Sequence, residues 1–175
     1  MSKHKNLKKL RDKILRILGI DPGFAIVGFG VLDYLNPNFK VLSSGLITTS
    51  KGEFVVRLKK IAEELEEVIE QFKPDHMAIE KLFFTTNQKT AIDVAQARGA
   101  ILLTAAQKNL SIFEYTPLQI KQAIVGYGKA EKKQVITMVS KLLRLSEMPK
   151  VDDEADAIAV AICHAHSHRE IRGNS

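Results

Sequence analysis

The chain has 175 residues, of which 45% are hydrophobic and 26% charged, with one cysteine, Cys163, and a net charge of +6. Those figures suit a soluble globular domain and exclude a disulfide scaffold, a Cys-rich zinc fold, a collagen and a wholly disordered chain. No apolar run approaches the roughly 18 residues of a membrane span and no apolar signal core opens the sequence, which predicts a cytoplasmic protein without membrane contact.

Ile14–Ile20 is a short branched apolar run stopped by Asp21-Pro22-Gly23, the pattern of a buried strand and its turn. Phe24–Tyr34 and Val41–Thr49 read as two more strands around Asn36-Pro37-Asn38, giving an antiparallel meander of three. Across Glu53–Phe72, Val56, Leu58, Ile61, Leu65, Val68, Ile69 and Phe72 recur mostly three or four apart. This predicts an amphipathic helix with its glutamates on the wet side, ended by Pro74. His76–Ile79 is a fourth strand running into Glu80. Thr90–Lys108 is an Ala-rich helix. Gly99 inside it costs about 1 kcal/mol, which suggests close helix packing at that point. Ser111–Tyr115 is a fifth strand, and Pro117–Val125 a helix with proline in its first turn, broken by Gly126-Tyr127-Gly128. Glu131–Leu145 and Asp153–His168 are the last two helices. Three hairpin-linked strands followed by strand–helix alternation imply an α/β fold with a mixed sheet and helices on its faces.

Charge follows position. Residues 1–13 hold six Lys/Arg and one acid. They read as a solvated basic tail, with a non-specific phosphate-binding arm as the alternative, and residues 14–175 as one domain. Acids outnumber bases in residues 14–80 and 151–175, whereas residues 81–150 carry eleven Lys/Arg against four acids. A basic surface beside acidic groups suits a polyanion handled through a cation.

The acids fall at chemically suggestive places. Asp21 and Glu80 stand at the carboxyl ends of the first and fourth strands, where open α/β sheets hold their ligands. Asp152, Asp153, Glu154 and Asp156 crowd the start of the last helix, with Asp153 and Asp156 on one face and Asp152 and Asp156 as the rival pairing. Each acid taken alone has a plain structural explanation: a turn former, a surface charge, or a helix-dipole partner worth about 0.3–1 kcal/mol. Together they predict a site for Mg²⁺ or Mn²⁺, since oxygen donors select hard cations. Two such ions would activate a water and stabilise the leaving oxygen in phosphodiester cleavage. Lys129, Lys132 and Lys133 oppose the dipole of the helix they open, a local cost consistent with phosphate contact. His164 and His168 share a helix face while His166 lies on another, and His164 stands about 12 Å along the axis from Asp156. These histidines therefore read as structural or surface groups rather than partners of acid-bound ions.

Gly19-Ile20-Asp21-Pro22-Gly23 and Gly28-Phe29-Gly30 open an ordered set of motifs that resembles the RuvC Holliday-junction resolvases. Ala78-Ile79-Glu80 with Phe83, Gln96-Ala97-Arg98-Gly99, Val125-Gly126-Tyr127-Gly128, Lys132, Asp153-Glu154-Ala155-Asp156-Ala157 and Ala161–His166 continue it, from about Ile17 to His168. The resemblance implies an RNase H-like fold, a five-stranded mixed sheet flanked by helices. It implies a homodimer that nicks four-way junction DNA symmetrically with two Mg²⁺ per subunit, Mn²⁺ being a substitute, and the RuvA–RuvB branch-migration complex as partner. It assigns Asp21, Glu80, Asp153 and Asp156 as catalytic metal ligands, Phe83 as a base-stacking ring, and Lys121 and Lys132 as contacts near the scissile phosphate. Three features depart from the family pattern. Residues 1–13 precede the usual start, Phe84 leaves open which ring stacks, and Lys129 replaces a residue that is often small or polar. A nuclease of this fold acting on RNA and a non-catalytic junction scaffold are the alternatives. An actin-like ATPase is disfavoured by the chain length and the missing phosphate loop.

Overall fold

The chain forms β1 (Leu15–Asp21), β2 (Ile26–Leu35), β3 (Asn38–Thr48), α1 (Phe54–Phe72), β4 (His76–Glu80), α2 (Gln88–Gln107), β5 (Ser111–Tyr115), α3 (Pro117–Val125), α4 (Lys132–Leu142) and α5 (Asp152–Gly173). In the computed structural model, which describes residues 14–82, 88–143 and 152–173, the strands make one sheet of order β3-β2-β1-β4-β5. The β3-β2-β1 half is antiparallel, as hairpin connections require, and β4 and β5 run parallel to β1 after their helical crossovers. This is the mixed sheet expected from the order of elements.

Alternation along each strand sorts the side chains into two cores. Leu18, Ile20, Val31, Met77 and Ile79 pack with Ile61, Leu65 and Ile69 of α1 and Ala97, Ile101 and Ala105 of α2. Ile17, Leu32, Ala78 and Tyr115 face the other way, against α5, α3 and α4. Residues 157–163 of α5 are buried all round its circumference, because the helix lies between the sheet and the α3–α4 pair. Capping boxes at Thr116/Gln119 and Glu131/Gln134 set where α3 and α4 begin.

Two expectations are corrected. Gly99 is exposed, and a Cβ added there would meet nothing within 4 Å. The packed face of α2 is the Ala97-Ile101-Ala105 face, and Gly99 lies off it, so no packing among the described residues explains that glycine. The last helix runs past His168 to Gly173. The basic tail 1–13, the Phe83–Phe84 pair and the Leu145 end expected for α4 lie outside the described residues.

Candidate active site

The site begins with glycines. In the β1–β2 register Gly19 pairs with Gly30 and Asp21 with Gly28, which puts all four on the α5 face of the sheet. A Cβ on Gly19 would stand 2.1 Å from the Ala157 carbonyl oxygen, one on Gly28 2.1 Å from the Asp153 carbonyl oxygen, and one on Gly30 2.7 Å from Ile158 Cγ1. Only glycine lets the α5 backbone lie this low on the strands. The consequence is positional: the first turn of α5, with Asp153 and Asp156, is laid beside Asp21. Pairing of Ile20 with Ile79 brings Glu80 next to Asp21 at the same end of the sheet.

The electrostatics register this convergence. Burial lifts the Asp21 carboxyl to about 7, and the neighbouring Asp156, Glu80 and Asp153 push in the same direction, against Lys132. Burial and Asp156 also raise Glu80, while Lys121 and Lys132 pull it down. Asp156 is raised chiefly by burial, although Lys132 Nζ sits 3.0 Å from its Oδ2 and opposes the shift. Burial disfavours the Lys132 ammonium, but Asp156 and Asp152 outweigh it and keep its pKa above the ordinary value. Glu80, Asp156, Lys121 and Lys132 line a cleft of about 200 Å³ beneath Pro117 and Ile120.

The acids at the start of α5 divide by environment. Glu154 accepts a 3.0 Å hydrogen bond from Ser44 Oγ and is tied to β3. Asp152 is largely exposed, with its Oδ2 3.5 Å from Lys132. Asp153 faces the sheet and acts on Asp21, which favours it over Asp152 as the partner of Asp156.

Asp21, Glu80, Asp153 and Asp156 thus come from three elements into one acidic centre, with Lys121 and Lys132 beside it. Their donors are carboxylate oxygens throughout, and Asp21, Glu80 and Asp156 hold a proton more tightly than isolated acids do. Such a set fits hard divalent cations, whose charge would do what the retained protons do. It does not fit a soft or imidazole-seeking metal. Among the described residues, the potential ligands drawn within 4.8 Å of one another are not these acids but His76, His164 and His168.

Arg98, which the sequence offered only within the Gln96-Ala97-Arg98-Gly99 motif and without a site role, also reaches the site. The Nε–H of Arg98, on α2, donates to the Glu80 carbonyl oxygen at 3.4 Å, and its Nη2 pairs with Glu114 of β5. The side chain clamps the ends of β4 and β5, and so fixes where the Glu80 carboxylate starts.

Over residues 17–164 the chain matches the family described as crossover junction endodeoxyribonuclease RuvC. A protein of that name from Alkaliphilus oremlandii is 57% identical over 152 residues, covering 86% of this chain and 93% of the relative. Its namesake from Alkaliphilus metalliredigens is 56% identical over 152 residues, covering 86% and 93%. Among solved structures, Thermus thermophilus RuvC in complex with a Holliday junction substrate superposes with a TM-score of 0.86 at 34% identity, covering 89% of this chain and 96% of that one.

Proposed function

The chain belongs to the RuvC family of crossover junction endodeoxyribonucleases, and on that premise we propose that it is a hydrolase resolving four-way DNA junctions by two symmetric nicks. The observation that carries this reading is the convergence of Asp21, Glu80, Asp153 and Asp156 beside a cleft that also holds Lys121 and Lys132. The four carboxylates would hold two divalent ions, Mg²⁺ in the cell and Mn²⁺ as a substitute. When bound, the ions supply charge neutralisation and Lewis acidity at the attacking and leaving oxygens of the phosphodiester.

The chain's own groups do the rest. Lys132 is half exposed and already paired with Asp156, so it can hold that carboxylate and meet a phosphate in one posture. Lys121 faces the same cleft from α3 and gives the DNA backbone a second positive contact. Phe83 comes shortly after Glu80 in the sequence. Its ring would stack on an unpaired base at the crossover, a contact worth about 1–3 kcal/mol.

Paired nicks call for two sites related by a twofold axis, and α2 offers a surface for that assembly. Ile92, Gln96, Gly99, Leu103 and Ala106 are all exposed and succeed one another at intervals of four, three, four and three. This is the spacing of a helix–helix seam, with glycine where a second helix would come closest. A homodimer through this seam accounts for the glycine that the described residues of one chain leave unexplained. The RuvA–RuvB motor is the partner that would deliver junctions in the cytoplasm. Among the described residues no helix is long and apolar enough to cross a membrane.

The test is cleavage of an end-labelled four-way junction beside a linear duplex of the same sequence. The expected result is paired nicks in opposed strands of the junction, an intact duplex, and no reaction in EDTA. Asp21→Asn should bind the junction and fail to cut it. Undiminished Mg²⁺-dependent cleavage by that variant would refute the acid assignment. Tight binding without cleavage by the unaltered chain would mean a scaffold.

A further inference from the structure

The face of β4 that turns toward α5 carries chemistry at both ends. His76, Ala78 and Glu80 alternate onto that face, with His76 about 13 Å from Glu80 along the strand. Glu80 meets the start of α5. His76 meets its later turns, where His164 and His168 lie one turn apart on the same side. We propose that His76, His164 and His168 form a three-imidazole site for Zn²⁺, separate from the acidic centre, that pins the later turns of α5 to the start of β4.

The geometry is largely in place. His76 Nδ1 and His164 Nε2 are 2.9 Å apart. One ring nitrogen from each of the three histidines lies within 4.8 Å of the others. Tetrahedral zinc with Zn–N bonds of about 2.0–2.1 Å sets its nitrogens about 3.3 Å apart. The 2.9 Å pair therefore needs to open by about 0.4 Å, and the widest pair, within 4.8 Å, to close by up to about 1.5 Å. The proton on the His76–His164 axis moves to the other nitrogen of its own imidazole, which frees both facing lone pairs for the ion. Tyr115 OH lies 2.7 Å from His164 Nδ1. That contact orients the ring with Nε2 toward His76, the outer support that metal-bound imidazoles have. Phe113 packs on the same ring, with centroids 4.3 Å apart.

The chemistry selects the ion. The donors are nitrogen only, which suits zinc and its first-row neighbours and not Mg²⁺. Burial, with His76 and His168 adjacent, pulls His164 down to about 3, so its imidazole is neutral and able to ligate throughout the physiological range. His164 is 1% exposed, whereas His76 and His168 are partly exposed, so the cluster is closed on the core side and reachable from the rim. Three ligands leave the fourth position to water at that rim.

The experiment uses the untagged full chain in saturating Mg²⁺, which occupies the acidic centre, and titrates Zn²⁺ by calorimetry with a thermal melt in parallel. The expected result is one Zn²⁺ per chain at micromolar metal and a raised Tm, with Co²⁺ giving the intense visible bands of a tetrahedral site. His168→Gln and His76→Gln, both at the rim, should each weaken binding about tenfold or more and abolish the Tm gain. Asp21→Asn should leave the Zn²⁺ affinity and the Zn²⁺-induced gain in Tm unchanged, whatever its own Tm. Absence of uptake at micromolar Zn²⁺, uptake that survives both histidine variants, or uptake lost in Asp21→Asn would each overturn the site.

Discussion

Asp21 is held where folding alone disfavours a carboxylate: burial comes first, then three acids from two other elements. Its folded pKa is raised from 3.8 to about 7, so in metal-free protein the native state keeps a proton that the unfolded chain releases. A raised folded pKa means that this group's contribution is fully present below about pH 4 and is lost as pH rises through about 7. Asp21→Asn, which is neutral at every pH, should therefore melt higher than the unaltered chain at pH 8 in EDTA. The gain should shrink at pH 5, where Asp21 is protonated, and shrink again when Mg²⁺ is added at pH 8. Each 1 kcal/mol corresponds to about 2–4 °C in a chain of this size, so differential scanning calorimetry resolves the effect. An unchanged or lower Tm at pH 8 would show that burial and the neighbouring acids do not together penalise the Asp21 carboxylate. The acids themselves are legible in the sequence, because strand ends and a three-residue helical spacing are local patterns. Arg98 is not legible in the same way. Its contacts with Glu80 and Glu114 depend on how α2 crosses β4 and β5, and no spacing within α2 encodes that crossing.

At the scale of elements, the decisive fact is how low α5 sits on β1 and β2. Gly28 is the position nearest the acids, since its missing Cβ leaves room for the Asp153 carbonyl. Gly28→Ala should lift the first turn of α5 and move Asp153 and Asp156 away from Asp21. Overpacking of this kind costs about 1–3 kcal/mol. The expected outcome is a lowered Tm together with a higher Mg²⁺ requirement for junction cleavage, measured as rate against metal concentration. A variant that loses stability but keeps the metal dependence would place the acids on some support other than this contact. Element order and most boundaries can be read from period and punctuation, with Pro74, Pro117 and Gly126 marking ends. What escapes is the facing of elements. The sequence shows His164 and His168 sharing a side of α5, but His76 joins them only because β4 and α5 run antiparallel across one face. Gly99 reads as a packing residue for the same reason, since composition does not say which side of α2 meets the sheet.

At the scale of the whole molecule, the acidic centre and the α2 seam lie on opposite layers: α5 covers one face of the sheet and α2 the other. A second chain docked along α2 leaves both acidic centres uncovered, which is what a substrate with two equivalent strands demands. Apolar exposure on the seam is high, 59% at Ile92 and 60% at Leu103, and neither side chain stabilises the single chain much. Leu103→Lys should therefore leave the stability of the monomeric fold within about 0.5 kcal/mol of the original while placing two like charges face to face across the twofold. Sedimentation should show the variant as a monomer at micromolar concentration. Its acids are intact, so it should still cut a cruciform extruded from a supercoiled plasmid. The product should shift from linear DNA, which needs two nicks before the complex dissociates, to nicked circles from single, uncoupled events. Linear product at the original yield, or a dimer that persists in Leu103→Lys, would move the interface off α2 and leave Gly99 again without a reason.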